Sequence, residues 1–310
     1  MPQTHLPIRL HRILFATDFS PTAAMALPYA AAIARRFHAE IYVTHVIPPD
    51  AYQDIQPSER DATLLQMKQS AEQRIKTLLT SSHFSEISFQ ILLEHGDILE
   101  VISTLVDKHS IDLIVAGSHG RHGIHKMLSP PVEEGIAQAA RCPALLVGPQ
   151  AEIDPQAKLD LKRILYATDF AAESGPALDY AYTLANAYDA DLYIFHVAEN
   201  IWKEPLSTQL TPEDFCRMRL LENGLPQNEQ GVEPKYLVDF GPAESLILEA
   251  AQKRDVQLIV VSVPATTHPH LSSHLPGPMA YNLASHARCP VLGVRSTAQA
   301  AERFAPKHAS

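Results

Sequence analysis

The sequence predicts an α/β protein built from two tandem, doubly wound domains, each a five-stranded parallel sheet with helices on both faces. Three observations carry this. Short apolar segments alternate with longer segments of helical periodicity, the pattern of βαβ units. The pattern occurs twice: Leu10-His11-Arg12-Ile13-Leu14-Phe15-Ala16-Thr17-Asp18-Phe19 returns as Leu161-Lys162-Arg163-Ile164-Leu165-Tyr166-Ala167-Thr168-Asp169-Phe170, eight of ten positions identical. The apolar run Leu113-Ile114-Val115-Ala116 breaks into Gly117-Ser118-His119-Gly120 ahead of a helical segment. Such a loop bares backbone N–H groups at a helix N-terminus and suits an anion.

In the first repeat, Arg12–Ala16 reads as a strand and Ala23–Phe37 as an alanine-rich helix, with Pro28 expected to kink it. Ile41–Ile47 is the next strand, and Pro48-Pro49 opens a loop into a long helix over Ser58–Ser81. Phe84–Glu94 alternates as a strand. Ile98–His109 is a helix, Leu113–Gly117 a strand, Pro131–Ala140 a helix and Ala144–Val147 the last strand. The second repeat predicts strands at Arg163–Ala167, Asp191–Val197, Pro234–Asp239, Leu258–Ser262 and Val291–Val294. Its helices fall near Pro176–Ala187, Thr211–Asn223, Ala243–Arg254 and Met279–His286. Thr211-Pro212-Glu213-Asp214 is a strong helix start, with a capping hydroxyl, proline in the first turn and acids facing the dipole. The repeats set the boundaries: domain 1 over 1–149, a polar linker over 150–160, domain 2 over 161–296 and a tail over 297–310.

Composition narrows the function. The 310 residues suffice for two cores, and 46% hydrophobic with 19% charged residues is a globular balance. A net charge of −10 leaves no surplus of Lys and Arg for coating nucleic acid. No segment has the length and apolarity of a signal peptide or a membrane span, so a cytoplasmic protein is expected. Three cysteines, Cys142, Cys216 and Cys289, make no disulfide framework and read as packing residues of a reducing compartment. No Ser/His/Asp set, paired carboxylates or nucleophile elbow stands out, so no catalytic residue is assigned. His119, His122 and His125, like His268, His270 and His274, lack nearby cysteine or acidic ligands, and no metal site is assigned. His45 and His196 end second strands and read as hydrogen-bonded structural histidines.

The ordered set ATDFS, THV, EHGD, GSHGRHG and RCPALLV, repeated as YATDF, IFHV, FGPAE and RCPVLGV, resembles the universal stress protein family over essentially the whole chain. The resemblance implies the adenine nucleotide alpha hydrolase-like fold and a stress-response binding module. Some family members bind ATP through Gly, two residues, Gly, nine residues, then Gly-Ser or Gly-Thr. Gly117 and Gly120 match, but Pro130-Pro131 stands where Gly-Ser belongs. Proline donates no N–H to a phosphate, so at most one weak ATP site, in domain 1, is expected. Carried over by position, the resemblance puts Ala16 and Asp18 near adenine or ribose and Val46 on the base. Ala116, Gly117 and Gly120 approach ribose and phosphates, Val132 lies at the helix start, and Arg121 offers a charge. In domain 2, Ser262 and Ala265 replace the glycines, and no nucleotide is expected there. The alternative is a nucleotide-independent interaction protein with disused sites in both domains. In the family, apolar last strands join subunits, which implies a pseudo-dimer within the chain and a homodimer of chains.

Overall fold

The computed structural model describes residues 8, 10–80, 87–118, 142–152, 160–171, 174–198, 211–223, 225, 231–263 and 277–295. The chain divides into two compact units, one carrying Arg9–Pro149 and the other the residues from Asp160 onward. The first contains β1 (Arg12–Ala16), α1 (Pro21–Phe37), β2 (Glu40–Ile47), α2 (Pro57–Leu79), β3 (Phe89–His95), α3 (Ile98–His109), β4 (Leu113–Gly117) and β5 (Ala144–Val147). The second contains β6 (Arg163–Thr168), α4 (Gly175–Tyr188), β7 (Asp191–Ala198), α5 (Pro212–Glu222), β8 (Lys235–Phe240), α6 (Ala243–Lys253), β9 (Leu258–Val263), α7 (Gly277–His286) and β10 (Val291–Arg295).

Within the first unit the strand order is β3-β2-β1-β4-β5, every pair parallel. The second repeats it as β8-β7-β6-β9-β10. All residues of β4 and β5 are buried, as expected of parallel strands covered on both faces. Order reverses between β1 and β4, and between β6 and β9. In doubly wound sheets that reversal, at the carboxyl ends of the strands, is where ligands bind.

The same device pins the amino ends of both units. Asp112 Oδ2 accepts from the N–H groups of His11 and Arg12 at 2.8 and 2.9 Å. In the second unit Gln257 Oε1 accepts from Arg163 N–H at 2.8 Å. Helix starts follow the sequence signals. Asp97 caps α3 by accepting from Leu99 and Glu100 N–H, and Thr211 caps α5 by accepting from Asp214 N–H.

Two points bear on the sequence reading. Helix α1 runs unbroken from Pro21 to Phe37, so Pro28 does not end it. The carbonyl that loses its donor belongs to Ala24, an exposed residue that water can serve. Strand β3 begins at Phe89 rather than Phe84, and residues 81–86 lie outside the described set. The helix expected over Pro131–Ala140 also lies outside it.

Candidate functional site

The exit from β1 is a tight, hydrogen-bonded turn. Thr17 N–H donates to Thr44 O at 2.9 Å, continuing the β1–β2 ladder by one residue. Phe19 then takes φ +64°, a left-handed conformation that is uncommon for a bulky side chain. Neighbouring side chains hold it there. Thr17 Oγ1 accepts from Phe19 N–H at 3.0 Å, and Asp18 Oδ1 accepts from Ser20 N–H at 2.9 Å. Ser20 caps α1 by accepting from Ala23 N–H at 3.1 Å.

His45 fastens the turn from β2. Its Nδ1 lies 2.8 Å from Thr17 O; a carbonyl only accepts, so Nδ1 carries the proton. The imidazole packs on the Phe19 ring, centroids 4.6 Å apart, and the Arg74 guanidinium of α2 sits 3.9 Å from the Phe19 centroid. Burial is the main cause holding the His45 pKa below its ordinary value. The Thr17 carbonyl and Asp18 oppose that shift, and Arg74 adds to it. His45 is thus a structural histidine with a defined partner, as the sequence suggested.

Gly117 closes the other side. A Cβ on this residue would lie 2.4 Å from Ala23 N and from Thr22 C and O, so β4 meets the start of α1 backbone to backbone. The glycine is required by that approach. Ser118 follows, its N–H donating to Val147 O at 2.7 Å.

The residues expected to bind nucleotide are partly brought together. Ala16 lies between Thr44 and Ala116 in register. It is half exposed, whereas Ala116 is buried. Asp18 is exposed at the strand exit. Val46 is buried on β2, opposite Glu94 of β3. Gly120, Arg121 and Val132, with His119, His122, His125 and Pro130-Pro131, lie outside the described residues. Among the described residues no group of three His, Cys, Asp or Glu side chains is placed to hold a metal. Nor is any helix among them long and apolar enough to cross a membrane. Sequence reasoning passed over Phe19, Thr44 and Arg74. Their signal was comparative: the second repeat keeps Phe170 but has Phe195 at the position of Thr44.

The second unit keeps the turn and changes its surroundings. Phe170 has φ +60°, Thr168 Oγ1 accepts from its N–H at 2.9 Å, and His196 Nδ1 donates to Thr168 O at 2.9 Å. Here the rings of Phe170, His196 and Phe215 pack together, and all three residues are buried. Asp169 Oδ1 accepts from both Ala171 N–H and Ser174 Oγ–H at 2.9 Å. Register places Ser262 at the position of Gly117. A side chain is accommodated there, and α4 starts at Gly175, nearly one turn later than α1 in the aligned sequence. The three cysteines are buried, and burial pushes each thiol up to about 12.

A tandem doubly wound α/β protein, each half with the same strand-exit turn at its topological reversal, is the class that fold and site define. The sequence pattern of the Universal stress protein family matches residues 9–148 and again 160–295. The chain belongs to that family. A universal stress protein of Methanocaldococcus jannaschii is 26% identical over 138 residues, covering 44% of this chain and 81% of the relative. Universal stress protein A homolog 1 of Coxiella burnetii is 32% identical over 137 residues, 44% of this chain and 94% of its own. Both relatives are about one repeat long. Among solved structures, a universal stress protein from Archaeoglobus fulgidus covers 92% of this chain and 98% of its own, with TM-score 0.67 and 19% identity. At that identity the likeness shows the fold.

Proposed function

We propose that the chain is a stress-response binding module that holds at most one adenine nucleotide, loosely, in its first domain. The observation that carries this reading is at the strand reversal of the first unit. There Asp18 stands exposed beside half-open Ala16, and β4 ends in a glycine. Burial of the Phe170–His196–Phe215 cluster and Ser262 in the glycine position support an empty second domain.

The test is isothermal calorimetry and thermal unfolding of the full chain with Mg-ATP. A ligand at ten times its Kd stabilises by about 1.4 kcal/mol, which raises the Tm by roughly 3–6 °C. Asp18→Asn keeps the oxygen that accepts from Ser20 N–H and removes the charge, so the turn survives. It is expected to weaken ATP about tenfold, the loss of one charged hydrogen bond. No heat and no Tm shift at millimolar ATP would overturn the nucleotide reading in favour of a nucleotide-independent interaction protein.

A further inference from the structure

The two units share a backbone frame and differ in what fills it. Right-handed crossovers put α1 and α2 on one face of the first sheet and α3 on the other. Side chains alternate along a strand, so contacts assign the faces. Tyr42 packs on His109 of α3, ring centroids 5.0 Å apart, while His45 packs on Phe19 and the α2 side. Thr44, two residues on from Tyr42, shares the α3 face. Gly117 orients β4 in the same way. Its missing Cβ would strike α1, so Ala116 and Ser118 turn to the α3 face.

Register completes the row. Thr44 and Ala116 flank Ala16, and Ser118 lies one row nearer the strand exits. Thr44 is 1% exposed and Ser118 0%, yet among the described residues neither hydroxyl has a hydrogen-bond partner. Ala16 between them is half open. In the second unit the matching row is Phe195, Ala167 and Val261, with Val263 at the position of Ser118. All four are buried. The same frame therefore accepts a dry, bulky filling, and the first unit instead keeps two orphaned hydroxyls beside a partly exposed alanine. A buried hydroxyl without a partner is destabilising, more so than an apolar group of the same shape.

We propose that Thr44, supported by Ser118, reads the base of the nucleotide in the first domain, with the ring lying over Ala16. A hydroxyl both donates and accepts, which matches the edge of an uncharged heterocycle. Ala16, Thr44, Ala116 and Ser118 include no cation, so the row offers nothing to a phosphate. Thr44 is then a specificity residue. This inference rests on the nucleotide reading above.

Calorimetry of the full chain with Mg-ATP and with Mg-GTP tests it. Thr44→Val keeps the shape and removes the hydroxyl. It is expected to weaken ATP by about tenfold, one hydrogen bond's worth, and to bring the ATP and GTP affinities together. The ligand-free Tm is expected to hold or rise, because an orphan is removed. Thr44→Ser, which restores the hydroxyl, is expected to restore the preference. If wild type binds ATP and Thr44→Val binds it equally, with the same ratio to GTP, the role of Thr44 is overturned and the nucleotide reading stands. A lower ligand-free Tm in Thr44→Val with unchanged selectivity overturns it too, as a structural hydroxyl. If wild type binds neither nucleotide, the function itself is overturned, and the base with it.

Discussion

Replacing Gly117 by alanine isolates the contact on which the first unit's strand exit depends. The new methyl would sit 2.4 Å from Ala23 N and from Thr22 C and O. Carbon reaches its best separation from other heavy atoms at about 3.5–4.0 Å, so strand and helix must part by about 1 Å. Both sides are backbone, and no rotamer change relieves the overlap. Overpacking of this kind costs about 1–3 kcal/mol. The helix start that moves also carries the Ser20 cap on Ala23 N–H, worth about 1 kcal/mol. Together the loss is about 2–4 kcal/mol, or a fall of roughly 5–15 °C in the Tm of that unit by differential scanning calorimetry. A cycle with Ser20→Ala checks the route. If Gly117→Ala already breaks the cap, adding Ser20→Ala costs less than it does alone. An unchanged Tm for Gly117→Ala refutes the close approach, and strict additivity refutes the part assigned to the cap.

Two more outcomes follow from buried titratable groups. His45 has a folded pKa below its unfolded value, so its contribution to stability is complete above about pH 6.5 and is lost as pH falls from there toward the folded pKa. Urea unfolding of the wild type should therefore show stability falling between pH 7 and pH 5, with a shallower fall in His45→Asn; identical profiles would remove His45 from the acid sensitivity. Cys142, Cys216 and Cys289, with thiols pushed up to about 12, should resist a disulfide reagent at pH 8 in the native chain and all react in urea; fast native labelling would contradict their burial.

The frame was legible because it is local. Leu113–Gly117, Ala144–Val147 and Ile98–His109 end in the structure where apolar runs meet glycine, proline or a left-handed cap. The repeat supplied the tandem organisation, since one alternating pattern occurs twice along the chain; the strand order came from the structure. The site was less legible because its decisive features lie between strands. Nothing in the run VTHV says that Thr44 sits beside Ala16, or that Phe195 fills the same place in the other copy. Register makes those neighbours, and register depends on the whole sheet. Gly117 was expected to approach ribose and phosphates; the constraint visible in the fold is the approach of α1. Pro28 was expected to kink α1, and the helix continues through it from Pro21 to Phe37.

The duplication has a consequence for how such a protein can evolve. In a symmetric homodimer every substitution is made in both subunits at once. A site cannot then be retired from one copy and kept in the other. Joining the two copies in one chain removes that constraint. Phe195, Val263 and Ser262 stand in one half where Thr44, Ser118 and Gly117 stand in the other. The strand-exit turn, with its left-handed phenylalanine and its histidine fastening, is retained in both. The two halves thus share the turn that each needs in order to fold and differ in the row that the proposed nucleotide site uses.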